Sequence, residues 1–196
     1  MLKLIGILIL LSGVLGELYS WNERKRTRIV QLECYEAFLK HAVYALETEK
    51  IHMEELLYQA ITSRKGCAGD DTKKFDRDEA ACGTKRESER ILTMVLEDVL
   101  DEMREHTYPS GAILWKEVWN AHRAEWIVDE ENWALVLDTG NAFYGNNLRE
   151  NLEYLRTLQS LLKEGIQEEK NKWKEKQKVL TPVGILGGIM IVIILL

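Results

Sequence analysis

A metal site or a nucleophile in this 196-residue chain would draw first on its four histidines and three cysteines. His41, His52, His106 and His122 stand apart, and none falls in an H-E-x-x-H or similar ligand signature. Glu49 and His52 have the Glu-x-x-His spacing that puts two ligands on one helix face, as in bundle di-iron sites. Those sites need a second copy and two further glutamates, and no second copy is present, so the pair reads as a solvated helix end. No G-x-S-x-G, P-loop or glycine-rich phosphate motif occurs. The residues therefore point to no enzyme, no cofactor and no small-molecule substrate.

Cys34, Cys67 and Cys82 are odd in number and form no C-x-x-C pair, which suits a reducing compartment. A bridge between Cys67 and Cys82 across a loop is the lesser alternative. The formal charge of -6 argues against a nucleic-acid surface. Trp115, Trp119, Trp126 and Trp133 recur near helical spacing, which fits the core of a bundle better than an exposed binding cluster. Trp173, set among Lys and Glu, is expected near a membrane interface.

With 2 Pro, 13 Gly and 30% charged residues patterned among leucines, the sequence predicts an all-α fold of about six helices. Leu32, Tyr35, Leu39, Ala42 and Leu46 form a 3,4,3,4 seam over residues 27–49, and Met53, Leu56, Leu57, Ala60 and Ile61 a second, shorter face. Residues 63–87 lose the period, collect Gly and mixed charge, and are expected to be a long surface loop. Beyond Ser88 a wide stripe of Ile91, Leu92, Val95, Leu96, Val99, Leu100 and Met103 lies opposite Glu97, Asp98, Asp101 and Glu102. Ser110 is the expected N-cap of a helix through Leu114, Trp115, Val118 and Trp119, and Asp129 opens another. Residues 140–147, GNAFYGNN, read as a Gly/Asn turn. A last helix starts near Leu148 and buries Leu152, Leu155, Leu158, Leu162 and Ile166.

Both ends are apolar. From Val179 to Leu196 there is no charged side chain, and at 1.5 Å per residue this is a helix of roughly 27 Å, close to the hydrocarbon thickness of a bilayer. Residues 1–21 supply a second apolar stretch that ends at Tyr19 and Trp21. The basic flanks Arg24, Lys25, Arg26 and Arg28, and Lys172, Lys174, Lys176 and Lys178, both face the middle of the chain. The positive-inside rule then predicts a membrane hairpin: an N-terminal span at 1–21, a cytoplasmic helical domain at 22–178 and a C-terminal span at 179–196. The small-residue pairs Ser12-x-x-x-Gly16 and Gly184-x-x-x-Gly188 are expected to pack the spans on each other or on other subunits. Pro182, in the second span's first turn, is the expected kink of one long helix from Leu148 onward. The alternative is an exported helical binding domain, its signal peptide cleaved near Val14-Leu15-Gly16 and its C-terminus anchored.

The opening MLKLIG, the phrase Leu46-Glu47-Thr48-Glu49, Ser110 five residues before Trp115, and the close PVGILGGIMIVIILL behind a lysine-rich helix together resemble the stage III sporulation protein AB family. Lys50 to Glu55 lacks the Gly and Thr-Pro turn usual after the first phrase, residues 66–83 look like an insertion, and Gly140 and Gly145 stand one residue further apart than the family pattern. The resemblance implies a membrane-anchored domain similar to the cytoplasmic helical domains of type II secretion F proteins. It implies a non-catalytic part of the membrane complex between mother cell and forespore, with the main domain on the mother-cell cytoplasmic side. Its implied partners are the bilayer and the other stage III A operon products, including the cytoplasmic secretion-type ATPase, protein AA.

Overall fold

The computed structural model describes the backbone of residues 2–49, 51–67, 79–105, 108–145 and 147–195; side chains are described for 20–49, 51–64, 82–105, 108–145, 147 and 149–178, with Gly13, Gly16 and Met190. Among these residues there are six α-helices and no strand: α1 Leu2–Thr48, α2 Met53–Cys67, α3 Glu79–Glu105, α4 Gly111–Ala121, α5 Glu130–Phe143 and α6 Leu148–Leu195, with a 3-10 turn at Arg123–Glu125. The expected all-α class holds. The chain divides into two units, Thr27–Ile166 and a second made of Met1–Arg26 with Gln167–Leu196.

Within Thr27–Ile166, α2 packs on α3, α3 on α4 and α4 on α5. The buried residues of α1 include the expected Leu32, Tyr35, Leu39 and Ala42, and also Phe38 and Ala45. Two sets of side chains meet them. Leu56, Leu57, Leu92, Val95, Leu96 and the tryptophans close one cluster, while Leu39 and Val43 join Ala142, Leu155 and Leu158 in another. All four tryptophans of residues 115–133 are buried, as their spacing suggested.

The helix starts follow local chemistry. The Ser110 side chain accepts the Ile113 N–H, and Asp129 Oδ1 accepts the Asn132 N–H, each satisfying a first-turn donor that has no partner within its helix. Three expected boundaries move. The proposed 63–87 loop shrinks from both sides, since α2 runs to Cys67 and α3 begins at Glu79; residues 68–78 lie outside the described residues. Helix formers such as Glu79, Ala80 and Ala81 extend α3 without needing an apolar stripe. The 140–147 turn starts later, because Gly140 is helical within α5. A Cβ there would lie 2.7 Å from the Trp115 ring, so the glycine serves a close helix approach and not a turn. Gly165 does the same on α6, where a Cβ would come within 2.7 Å of Asn132 Oδ1.

The connection between α4 and α5 is held against α1 by side chains. Gln31, almost wholly buried, donates through Nε2 to the Glu125 carbonyl at 2.9 Å and accepts the Ile127 N–H through Oε1 at 2.8 Å. Arg28 donates to the Ile127 carbonyl at 3.2 Å and pairs with Asp129 at 3.4 Å. Arg123 donates to the Trp126 and Val128 carbonyls at 2.8 and 2.9 Å, pairs with Glu130 and lies 4.8 Å from the Trp133 ring centre. An irregular segment beside a core carries polar backbone groups that need such partners.

In the other unit, α1 and α6 form an antiparallel pair. Trp173 donates to Asn22 Oδ1 at 2.8 Å, Gln177 donates to the same oxygen at 3.3 Å, and Lys25 pairs with Glu169 at 3.2 Å. The backbone is helical through both apolar ends, and α6 continues past Pro182. Nearly all side chains of the expected spans lie outside the described residues; among the described residues no helix is long and apolar enough to cross a membrane.

Gln31→Leu keeps roughly the same volume but strands the Glu125 carbonyl and the Ile127 N–H, each costing about 1–3 kcal/mol when left unpaired. Denaturant unfolding of the full chain in mild detergent should show a loss of about 2–6 kcal/mol. An unchanged midpoint would mean that water satisfies both groups.

Candidate functional site

Of the residues quoted for the family resemblance, Ser110, Trp115 and Gly140 meet around one point of the domain. Ser110 sets the first residue of α4 and so fixes the rotation that turns Trp115, five residues on, into the core. Trp115 Nε1 donates to the Val136 carbonyl at 3.0 Å, and the Tyr35 hydroxyl from α1 donates to the same oxygen at 3.3 Å. Gly140, one turn along α5 from Val136, leaves room for the Trp115 ring. Around this point Tyr35 meets Trp119 edge-on at 5.2 Å, Phe38 stacks on Trp115 at 6.5 Å, and Phe143 closes on Trp115 at 5.3 Å. The remaining motif positions brace α6: Asn151 Nδ2 donates to the Gly145 carbonyl at 2.9 Å, and Glu47 of the Leu46–Glu49 phrase pairs with Arg156 at 2.6 Å.

The family profile described as stage III sporulation protein AB matches residues 72–196, more than half of the chain. The chain belongs to the stage III sporulation protein AB family. Membership carries a role in sporulation. The match includes Ser110, Trp115, Gly140, Gly145, the lysine-rich part of α6 and the apolar C-terminal stretch. It begins beyond both the opening MLKLIG and the phrase Leu46–Glu49. Neither the curated proteins nor the solved structures contain a match.

The basic residues expected to flank a membrane separate into two groups. Lys25 is tied to Glu169, and Arg28 belongs to the other unit, where it secures the α4–α5 connection. Lys172 pairs with Glu168 at 2.8 Å one turn earlier on α6. Arg24, Lys174, Lys176 and Lys178 are exposed, Arg26 is half-buried, and Lys176 lies 5.7 Å from the Trp21 ring centre. Of the expected packing positions, a Cβ at Gly16 would meet nothing within 4 Å; the side chains of Ser12, Gly184 and Gly188 lie outside the described residues. Trp173 is half-buried against Asn22, a partner that its Lys and Glu sequence neighbours do not reveal.

The chemistry-bearing side chains are dispersed. Glu49 and His52 do not share a helix face, because α1 ends at Thr48 and α2 starts at Met53, and both side chains are exposed in the turn between them. His122 caps α4, with Nε2 2.7 Å from Asp98 and Nδ1 3.3 Å from Glu125, and so ties α3 to the 3-10 turn. His41 is exposed, and His106 lies outside the described residues. Trp119 and Trp126 bury indole N–H groups that have no partner. Each such group carries a desolvation cost, so packing rather than hydrogen bonding holds these rings. Phe38 was legible in principle, since 35, 38, 42 and 45 also follow helical spacing; Gln31 and Arg123 left no signal, because a polar side chain in a helical pattern reads as solvent-facing.

Cys34 and Cys82 are free thiols, Cys34 buried and Cys82 exposed; the side chain of Cys67 lies outside the described residues. Burial, reinforced by Glu89, pushes the Cys34 thiol from 9.0 up to about 11. A raised folded-state value means that the folded chain keeps its proton where the unfolded chain has lost it. The associated stability is complete below about pH 9 and is lost as pH rises toward about 11. Between pH 8 and about 10.5 the wild type should therefore lose more denaturant stability than Cys34→Ala. Equal losses would show that the thiol titrates as if exposed.

Proposed function

We propose that this protein is a non-catalytic membrane platform component of the secretion-like complex between mother cell and forespore, anchored by spans at 1–21 and 179–196. Its helical domain at 22–178 lies on the mother-cell cytoplasmic side and docks the ATPase of the stage III A operon together with other membrane subunits. A likeness to the cytoplasmic domains of type II secretion F proteins is part of this reading. The family match over residues 72–196 carries it.

Two further observations support it. The apolar ends are each flanked by basic residues on the side facing the domain, and both ends are helical in backbone, as a chain crossing lipid must be. The polar groups best placed for chemistry are engaged in holding the fold: His122 braces α3, Gln31 and Arg123 hold the α4–α5 connection, and Tyr35 and Trp115 share the Val136 carbonyl. A platform needs such rigidity.

The full chain, tagged and solubilised in mild detergent, should retain the candidate ATPase on an affinity column. Retention should persist in a variant of the small-residue pair, Gly184→Leu with Gly188→Leu, while co-purification of other membrane subunits declines. Failure to retain the ATPase both with and without nucleotide would remove the docking role.

A further inference from the structure

The unit formed by Met1–Arg26 and Gln167–Leu196 differs in charge from the rest of the chain. It carries 9 basic and 5 acidic side chains, whereas Thr27–Ile166 carries 17 basic and 27 acidic ones. The excess positive charge is concentrated where α1 and α6 pair. Lys170, Lys174 and Lys178 recur every four residues on one side of α6, and Lys172 and Lys176 lie on the opposite side, so the helix presents cations around much of its girth. The pairing adds Arg24 and Arg26 from a segment nearly 150 residues away in sequence.

The pairing is specific at this level. Asn22 accepts from both Trp173 and Gln177, Lys25 pairs with Glu169, and the Lys176 ammonium sits 5.7 Å from the Trp21 ring centre, within cation–π range. These contacts absorb Lys25 and fix the register. They leave Arg24, Lys174 and Lys178 exposed, with Lys176 beside them. Glu23 and Glu175 lie in the same turns and offset part of this charge, but the segments 20–26 and 167–178 keep eight cations against four carboxylates. Both indoles of the unit, Trp21 and Trp173, lie at the same level, where amphipathic rings favour a lipid headgroup region.

We propose that Arg24, Arg26, Lys174, Lys176 and Lys178 form a collar, assembled by the α1–α6 pair, that binds the phosphate of anionic lipid head groups. This rests on the membrane-anchored reading and goes beyond it: the anchor selects anionic over zwitterionic lipid instead of merely crossing the bilayer. Charge complementarity identifies the occupant. Clustered lysines and arginines next to a span attract anionic lipid, and the attraction falls off within a Debye length.

The test uses the full chain reconstituted into phosphatidylcholine vesicles that hold a trace of dansyl-phosphatidylglycerol or dansyl-phosphatidylcholine, with tryptophan-to-dansyl energy transfer as readout. The wild type should enrich the anionic probe by about fivefold or more, the factor that a single surface lysine supplies. Enrichment should vanish in 0.5 M salt, fall severalfold in Lys174→Gln/Lys176→Gln/Lys178→Gln, where Arg24 and Arg26 alone of the collar remain, and persist in the corresponding Lys→Arg triple variant. Flotation after alkaline carbonate separates the two layers of the claim. Integrated chain with equal transfer to both probes overturns the collar and leaves the spans standing. Chain released by carbonate sinks the spans; salt-sensitive flotation with phosphatidylglycerol vesicles alone then still supports the collar, and no flotation with either lipid overturns both.

Discussion

The irregular segment between α4 and α5 has to lie against α1, and the Gln31 amide makes this possible. Its donor and acceptor meet the Glu125 carbonyl and the Ile127 N–H, two backbone groups that would otherwise lose water without gaining a partner. With that segment fixed, Trp126 and Val128 are delivered to the core, and Asp129 is placed to cap α5 while it pairs with Arg28. The position of α5 in turn sets the Val136 carbonyl where Trp115 and Tyr35 reach it. A chain of dependence thus runs from one buried glutamine to the aromatic cluster that fills the domain.

That cluster explains the spacing of several residues in this chain. Ser110 and Trp115 are five apart because the cap fixes the rotation of α4, and Gly140 is a glycine because the Trp115 ring lies where a Cβ would stand. Gly145 is a second close approach, this time to Asn151 at the start of α6. These positions therefore serve the packing of the helices.

Much of this was legible in the chain itself. Periodicity placed the apolar stripes of α1, α2 and α3, and short polar side chains marked the starts of α4 and α5, because both signals are local. What escaped was set by tertiary contact. Gly140 reads as a turn until Trp115 is placed against it, and Gln31 reads as solvated until Glu125 and Ile127 reach it. The ends of α2 and α3 run beyond the apolar pattern, so a reading based on buried faces stops short of them. The Glu49 and His52 spacing suggested a shared face only on the assumption of one helix, which the turn after Thr48 removes.

The central claim is that the helical domain lies on the cytoplasmic side of a membrane that both apolar ends enter. Cys82 offers a direct reporter, being exposed on α3, while Cys34 is buried and Cys67 can be replaced by serine. In a Cys67→Ser chain expressed in intact cells, a membrane-impermeant maleimide should leave Cys82 unmodified until the membrane is permeabilised, and should then label it fully. Labelling of Cys82 in intact cells, to the extent seen after permeabilisation, would put the domain on the outer side and contradict the account.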